Sequence, residues 1–85
     1  MIIRSQDKTM LMPFENSNGA YIVGKEVHIC GDNYGEYSTR EKAIKVLDMI
    51  QNAYTNSCKV AISSDGQMQY MVIPVVFQMP LDSEV

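Results

Sequence analysis

The sequence Gly-Glu-Tyr-Ser-Thr-Arg-Glu occupies residues 35–41, and apolar side chains recur at helical spacing through the following residues 42–54. Ser38 and Glu41 stand three positions apart, which is the spacing of a capping box, so the sequence predicts a helix with Ser38 as its N-cap. Apolar residues three or four positions apart then define the face that this helix would bury: Ala43, Val46, Leu47, Ile50, Ala53 and Tyr54.

Short apolar segments precede the helix. The sequence predicts strands at residues 2–3, 9–14, 20–23 and 26–30, with Gly24 and Lys25 as a two-residue hairpin loop of type II′. Residues 31–35 are rich in Gly, Asp and Asn and are predicted to form a loop. Pro13 places the end of the second strand at a sheet edge, because proline cannot donate a hydrogen bond.

A hairpin is predicted after the helix. Residues 58–63 and 67–77 form its strands, and Asp65-Gly66 is its turn. Pro74 marks a sheet edge, a bulge or a change of sheet, and residues 81–85 read as a tail. The order of strands, one helix and a hairpin predicts an α+β fold, with a small antiparallel β-sheet and one amphipathic helix packed on one face.

Composition restricts the class of protein. The 85 residues are predicted to form a single domain, 1–85, because the chain is too short for two cores. The net charge is −3 and the Lys and Arg residues are scattered, so duplex nucleic acid is not an expected partner. No apolar run is long enough to span a membrane and no signal peptide is evident, so we expect a cytoplasmic protein.

Metal, cofactor and disulfide chemistry are not expected. The two cysteines, Cys30 and Cys58, are interpreted as reduced, small, buried hydrophobic residues, although a bridge between them is a weaker alternative. His28 is the only histidine, it is predicted to lie on the wetter face of a strand, and no zinc-ligand spacing surrounds it. No triad, phosphate-binding loop or paired-carboxylate pattern is present, so we do not expect an enzyme.

Self-association is predicted instead. Hydrophobic residues make up 46% of the chain and seven residues are methionine, a flexible residue that suits partner-binding surfaces and equally well fills gaps in a core. The segment 71–77, from Met71 to Phe77, is apolar on both strand faces, so one face is expected to contact a neighbouring copy. The alternative is a strand buried beneath the single helix.

Four residues are candidates for ligand binding. Arg4 and Arg40 are the only arginines, and a guanidinium can bind phosphate through two parallel hydrogen bonds. Tyr34 and Tyr37 are expected to be presented by the predicted loop, where an aromatic ring could stack on a base.

Four segments of the sequence resemble small proteins that are common in phages and prophages of Gram-positive bacteria. They are 3–8 (Ile-Arg-Ser-Gln-Asp-Lys), 35–39 (Gly-Glu-Tyr-Ser-Thr), 43–51 (Ala-Ile-Lys-Val-Leu-Asp-Met-Ile-Gln) and 76–80 (Val-Phe-Gln-Met-Pro). In size class and layout the chain is similar to the first type of anti-Thoeris sponge, an oligomeric β-sheet protein with helices.

That resemblance implies a phage anti-defence protein in the bacterial cytoplasm. Such a protein would sequester a cyclic nucleotide signal, either a cyclic ADP-ribose isomer or a cyclic oligonucleotide, without cleaving it. Arg4 or Arg40 would then meet phosphate, and Tyr37 or a neighbouring aromatic residue would stack on adenine. The alternatives are a phage protein that binds and inhibits a host defence protein, as anti-CRISPR proteins do, and an interaction module without a ligand.

Overall fold

The chain was analysed as a computed structural model that describes residues 1–56, 58–62, 68–72 and 75–85, with side chains described for 1–56 and 75–85. One helix and eight strands are present in this part of the chain. In chain order they are β1 (Ile2–Arg4), β2 (Leu11–Pro13), β3 (Ala20–Val23), β4 (Glu26–Ile29), β5 (Asp32–Glu36), α1 (Arg40–Asn56), β6 (Cys58–Ile62), β7 (Met68–Val72) and β8 (Val76–Gln78). Two 3₁₀ turns, Phe14–Asn16 and Asp82–Glu84, complete the described elements.

The strands form three small sheets, and the predicted α+β class is confirmed. The first sheet has the order β2-β1-β8, the second β3-β4-β5, and the third contains β6 and β7. All pairs are antiparallel except β1 with β8, which is parallel. The expected single antiparallel sheet is therefore divided into three, and Pro13 does end a strand at a sheet edge.

The single long strand predicted over residues 67–77 is wrong. β7 pairs with β6, whereas β8 pairs with β1, so the chain changes sheet between Val72 and Val76. The backbone N–H of Ile2 donates to the carbonyl of Val75 at 2.7 Å and begins the second pairing. A change of sheet was one of the three interpretations of Pro74, which itself lies outside the described residues.

The predicted loop at residues 31–35 is wrong for residues 32–35, which belong to β5, whereas Gly31 lies in the turn before it. Cys30 and Gly31 both have positive φ, +53° and +82°, as a type I′ hairpin turn requires. Asn-Gly is the usual sequence for such a turn. The sequence here is Cys-Gly, so the turn was not predicted. The other hairpin is confirmed, since Gly24 has φ +61° and Lys25 is not among the residues with positive φ, as type II′ requires.

Helix α1 begins one residue later than the sequence predicted. The Thr39 hydroxyl accepts a hydrogen bond from the Lys42 backbone N–H at 3.2 Å, so Thr39 and not Ser38 is the N-cap. Ser38 is bound elsewhere, because its backbone N–H donates to Asp82 Oδ1 at 2.7 Å. A contact with the C-terminal segment therefore displaces the predicted capping box.

The core lies between α1 and the inward faces of the two larger sheets. Alternate residues of β3 and β4 point inward, so Val27 and Ile29 are fully buried while Tyr21 and Val23 remain exposed. The helix buries much of the predicted stripe, but Tyr54 is exposed and packs edge-on against the ring of Phe14. The core residues are Met1, Ile3, Val27, Ile29, Tyr34, Tyr37, Ala43, Val46, Ile50 and Met79.

The C-terminal segment is not the tail that the sequence predicted. Met79 and Pro80 are buried, and the Pro80 carbonyl accepts from the Tyr37 hydroxyl at 2.8 Å and from Gln6 Nε2 at 3.1 Å. Asp82 then reaches the start of α1, where its carboxylate meets Ser38 and lies 3.5 Å from Lys42 Nζ. The last residues thus fasten β1, β5 and α1 together. Among the described residues, no helix is long and apolar enough to cross a membrane.

Candidate interaction surface

The first sheet presents one face to solvent, which we call the outer face. The strand register places Arg4 between Leu11 and Gln78, and Ile2 between Pro13 and Val76. The alternate residues of the same strands point toward the core: Ile3, Met12 and Phe77. The outer face therefore consists of six side chains from three adjacent strands: Ile2, Arg4, Leu11, Pro13, Val76 and Gln78.

The outer face is apolar and exposed. Leu11 has 65% of its surface exposed and Val76 59%, the two largest values among the described large hydrophobic residues. Single exposed apolar side chains are ordinary, but a continuous apolar group on adjacent strands marks an interaction site. Leu11 was not singled out from the sequence, although the run Met-Leu-Met-Pro at residues 10–13 is apolar on both faces, as the segment 71–77 is.

Arg4 is the only charged residue of the outer face. Its Nε and Nη2 atoms each donate to the Lys8 carbonyl at 3.3 Å, which holds the guanidinium at the surface. Lys8 itself has φ +67°, so the loop after β1 turns back toward Arg4. The arrangement places a positive, planar hydrogen-bond donor beside exposed aliphatic side chains.

The two arginines are not brought together. Arg40 is the first residue of α1, is exposed, and has no described contact with Arg4, which lies in β1. Of the two, only Arg4 lies on the outer face.

The two tyrosines are not available for stacking. Tyr34 is 4% exposed and Tyr37 is 3% exposed, so the expectation that a loop presents them is wrong. Tyr34 is the extra residue of a β-bulge between β4 and β5, which turns its ring inward. Burial, followed by the nearby carboxylates of Asp82 and Glu84, raises the pKa of Tyr37 to about 12.

A polar cleft lies near the tyrosines. It has a volume of about 200 Å³, and its charged side chains are the carboxylates of Asp7 and Glu36. The hydroxyl of Ser5 and the hydroxyl and N–H of Thr9 bind Asp7 and lower its pKa to about 2. A cleft lined by two acidic side chains disfavours phosphate, so it is a poor site for a nucleotide.

No metal site was found in the described part of the chain, where no three metal-ligating side chains converge. His28 does lie on the outer side of β4, and its Nε2 is 2.9 Å from Glu26 Oε1. Cys30 is exposed in the type I′ turn, so its interpretation as a buried residue is wrong. The side chain of Cys58 is outside the described residues.

The comparisons with known proteins give no relative. No protein family, curated protein or solved structure matches the chain. The resemblance to nucleotide sponges therefore stays a prediction.

Proposed function

We propose that the chain is a non-enzymatic binding protein that self-associates through the outer face. The observation that carries the proposal is the exposure of Leu11 and Val76 on one face of a single sheet, on the two strands that flank β1. Burying a leucine or valine side chain stabilises an assembly by about 1.5–3 kcal/mol, which favours contact over exposure. A second copy of the chain is the simplest partner for this face, because it is present wherever the chain itself is.

Symmetry gives this contact a further property. Most homodimers are twofold symmetric and use the same patch on both copies. Because Arg4 is the only charge on the outer face, a twofold contact brings two guanidiniums to one interface. Two like charges repel in a partly desolvated site unless an anion lies between them.

A phosphate-bearing ligand would satisfy this requirement. Two arginines can bind the oxygens of one phosphate or diphosphate through charge-assisted hydrogen bonds. We therefore propose as ligand a cyclic nucleotide, such as a cyclic ADP-ribose isomer or a cyclic oligonucleotide, held between two copies at Arg4. Tyr34 and Tyr37 are buried in this arrangement and take no part. A host defence protein is the alternative partner for the same apolar face.

Native mass spectrometry tests both parts. We expect the wild-type chain to form an oligomer and the double variant Leu11→Lys/Val76→Lys to form a smaller assembly, because two charges are added to the outer-face contact. Arg4→Ala should keep the oligomer and lose the ligand mass when a panel of cyclic nucleotides is added. Arg40→Ala is the matched control, since it removes an exposed arginine from another element.

The outcomes that would contradict the proposal are distinct. If the double lysine variant formed an assembly of the same size as the wild type, the outer face would not be the contact between copies. An oligomer that gains no ligand mass would exclude a cyclic nucleotide as the ligand. A host protein would then be the expected partner of the same face. Circular dichroism of each variant establishes that the fold is retained.

A further inference from the structure

The hairpin β6–β7 lacks the third strand that each of the two larger sheets has. Among the described strands, β6 and β7 pair only with each other, while the remaining six strands belong to the two larger sheets. An isolated two-stranded hairpin is marginally stable in water, and a third strand is the usual remedy. Each strand of this hairpin also has one edge that pairs with no other described strand, and such an edge is a template for a further strand.

The two free edges differ in sequence. β6 contains Lys59, and lysine on an edge strand discourages pairing with another chain. β7, with the sequence Met-Gln-Tyr-Met-Val, contains no charge and no proline. The edge of β7 is therefore the one that remains open to a further strand.

The exposed area of the whole chain favours association between copies. The chain exposes 5631 Å², whereas a compact monomer of 9.6 kDa exposes about 5,100 Å². Its radius of gyration is 14.8 Å, against about 12 Å for a compact domain of this length. The excess of roughly 500 Å² is a large part of the about 800 Å² that each partner buries in a standard interface.

From the open edge and the excess area we infer that β7 pairs antiparallel with β7 of a second copy, and that the twofold axis passes through Tyr70. The product is a continuous four-stranded sheet in the order β6-β7-β7-β6. The outer face is a separate surface on β1, β2 and β8, so this pairing does not depend on the proposed function.

Backbone geometry selects Tyr70. In an antiparallel pair, residues directly opposite each other must both direct their N–H and C=O groups toward the neighbouring strand, or both away from it. These directions alternate along a strand, so opposite residues of two identical strands differ by an even number of positions. The axis then passes through a residue and not between two residues. Only an axis through the central residue, Tyr70, pairs all five residues of β7.

Cysteine cross-linking tests this register. In a chain with Cys30→Ser and Cys58→Ser, Tyr70→Cys should give a disulfide-linked dimer under mild oxidation, because directly opposite Cα atoms are about 4.5–5.5 Å apart. Gln69→Cys or Met71→Cys alone should not, because each residue is displaced from its own copy beyond the roughly 7 Å limit of a disulfide. A mixture of the two should give the mixed dimer.

A charge variant gives an independent measurement. Tyr70→Lys places two lysines opposite each other at the axis, and we expect the dimer Kd to rise about fivefold or more. Tyr70→Thr is the matched control, because threonine favours strands and carries no charge. The dissociation constant is measured by analytical ultracentrifugation in the Leu11→Lys/Val76→Lys background, where the outer face is disabled.

The results separate this contact from the outer face. A dimer in that background that cross-links at residue 70 alone supports the β7 pairing, whatever the role of the outer face. A monomer in that background, or equal cross-linking of the three single-cysteine variants, overturns it. An equal Kd for Tyr70→Lys and Tyr70→Thr also overturns it.

Discussion

Gly35, in β5, is closely packed against the side chains of Tyr37 and Met79. A methyl group at this position would lie 2.9 Å from the Tyr37 hydroxyl and 3.2 Å from the Met79 Cε atom. We expect Gly35→Ala to lower the free energy of unfolding by about 1–3 kcal/mol, the usual cost of overpacking a core. Urea denaturation measures this change.

A second substitution identifies the cause of that loss. Tyr37→Phe removes the hydroxyl that the added methyl group of Gly35→Ala would contact. The Pro80 carbonyl loses this donor but still accepts from Gln6. The double variant should therefore lose less stability than the sum of the two single variants. Strict additivity, or an unchanged stability of Gly35→Ala, would contradict the close packing at this site.

Cys30 stores backbone strain in the turn between β4 and β5. A non-glycine residue in the left-handed region costs of order 1–3 kcal/mol, and asparagine tolerates it better than most residues. With φ +53° at Cys30, we expect Cys30→Asn to raise the free energy of unfolding by up to about 1 kcal/mol.

The matched control for Cys30 is serine. Cys30→Ser removes the thiol but retains a side chain that the left-handed region disfavours, so its stability should stay near that of the wild type. An equal gain for both variants in thermal denaturation would assign the effect to thiol chemistry and not to the turn.

The start of α1 depends on Thr39. Its hydroxyl caps the Lys42 N–H, so Thr39→Ala should lower the free energy of unfolding by about 1 kcal/mol. Thr39→Ser keeps an equivalent hydroxyl and should retain most of the stability. Chemical denaturation of both variants, followed by circular dichroism of the helix, tests the assignment. Equal losses in the two variants would show that the hydroxyl does not cap the helix.

At the scale of the whole molecule, three carboxylates make stability depend on pH. The pKa of Asp7 is lowered to about 2 by the hydroxyls of Ser5 and Thr9. The Ser38 backbone N–H lowers the pKa of Asp82, and a hydrogen bond from the N-terminal ammonium lowers that of Glu15. Groups with a lowered pKa in the folded state contribute stability above their unfolded pKa, and this contribution disappears as the pH falls through the folded value.

The folded chain should therefore lose stability as the pH falls from about 4 to about 2, because the unfolded chain takes up protons first. The midpoint of thermal unfolding, measured at several pH values, follows this loss. Asp7→Asn should flatten the dependence, while Asp48→Asn, at an exposed position of α1, should not. An identical pH dependence of Asp7→Asn and the wild type would contradict the role of the Asp7 carboxylate.

Local sequence signals determined the features that depend on neighbouring residues. The apolar spacing of Ala43, Val46 and Ile50 fixed the buried face of α1, and Gly24 fixed the first hairpin, because helical periodicity and turn chemistry act over a few positions. The α+β class followed from the order of these elements.

Only the tertiary structure decided the features that depend on distant residues. The Asp82 carboxylate accepts from the Ser38 backbone N–H, and the helix cap is Thr39 instead of Ser38. Strand β8 pairs with β1, and the Pro80 carbonyl accepts from the buried Tyr37 hydroxyl. Each contact joins residues more than forty positions apart, and no local pattern encodes such a distance. For the same reason the outer face became visible only when β1, β2 and β8 were brought side by side.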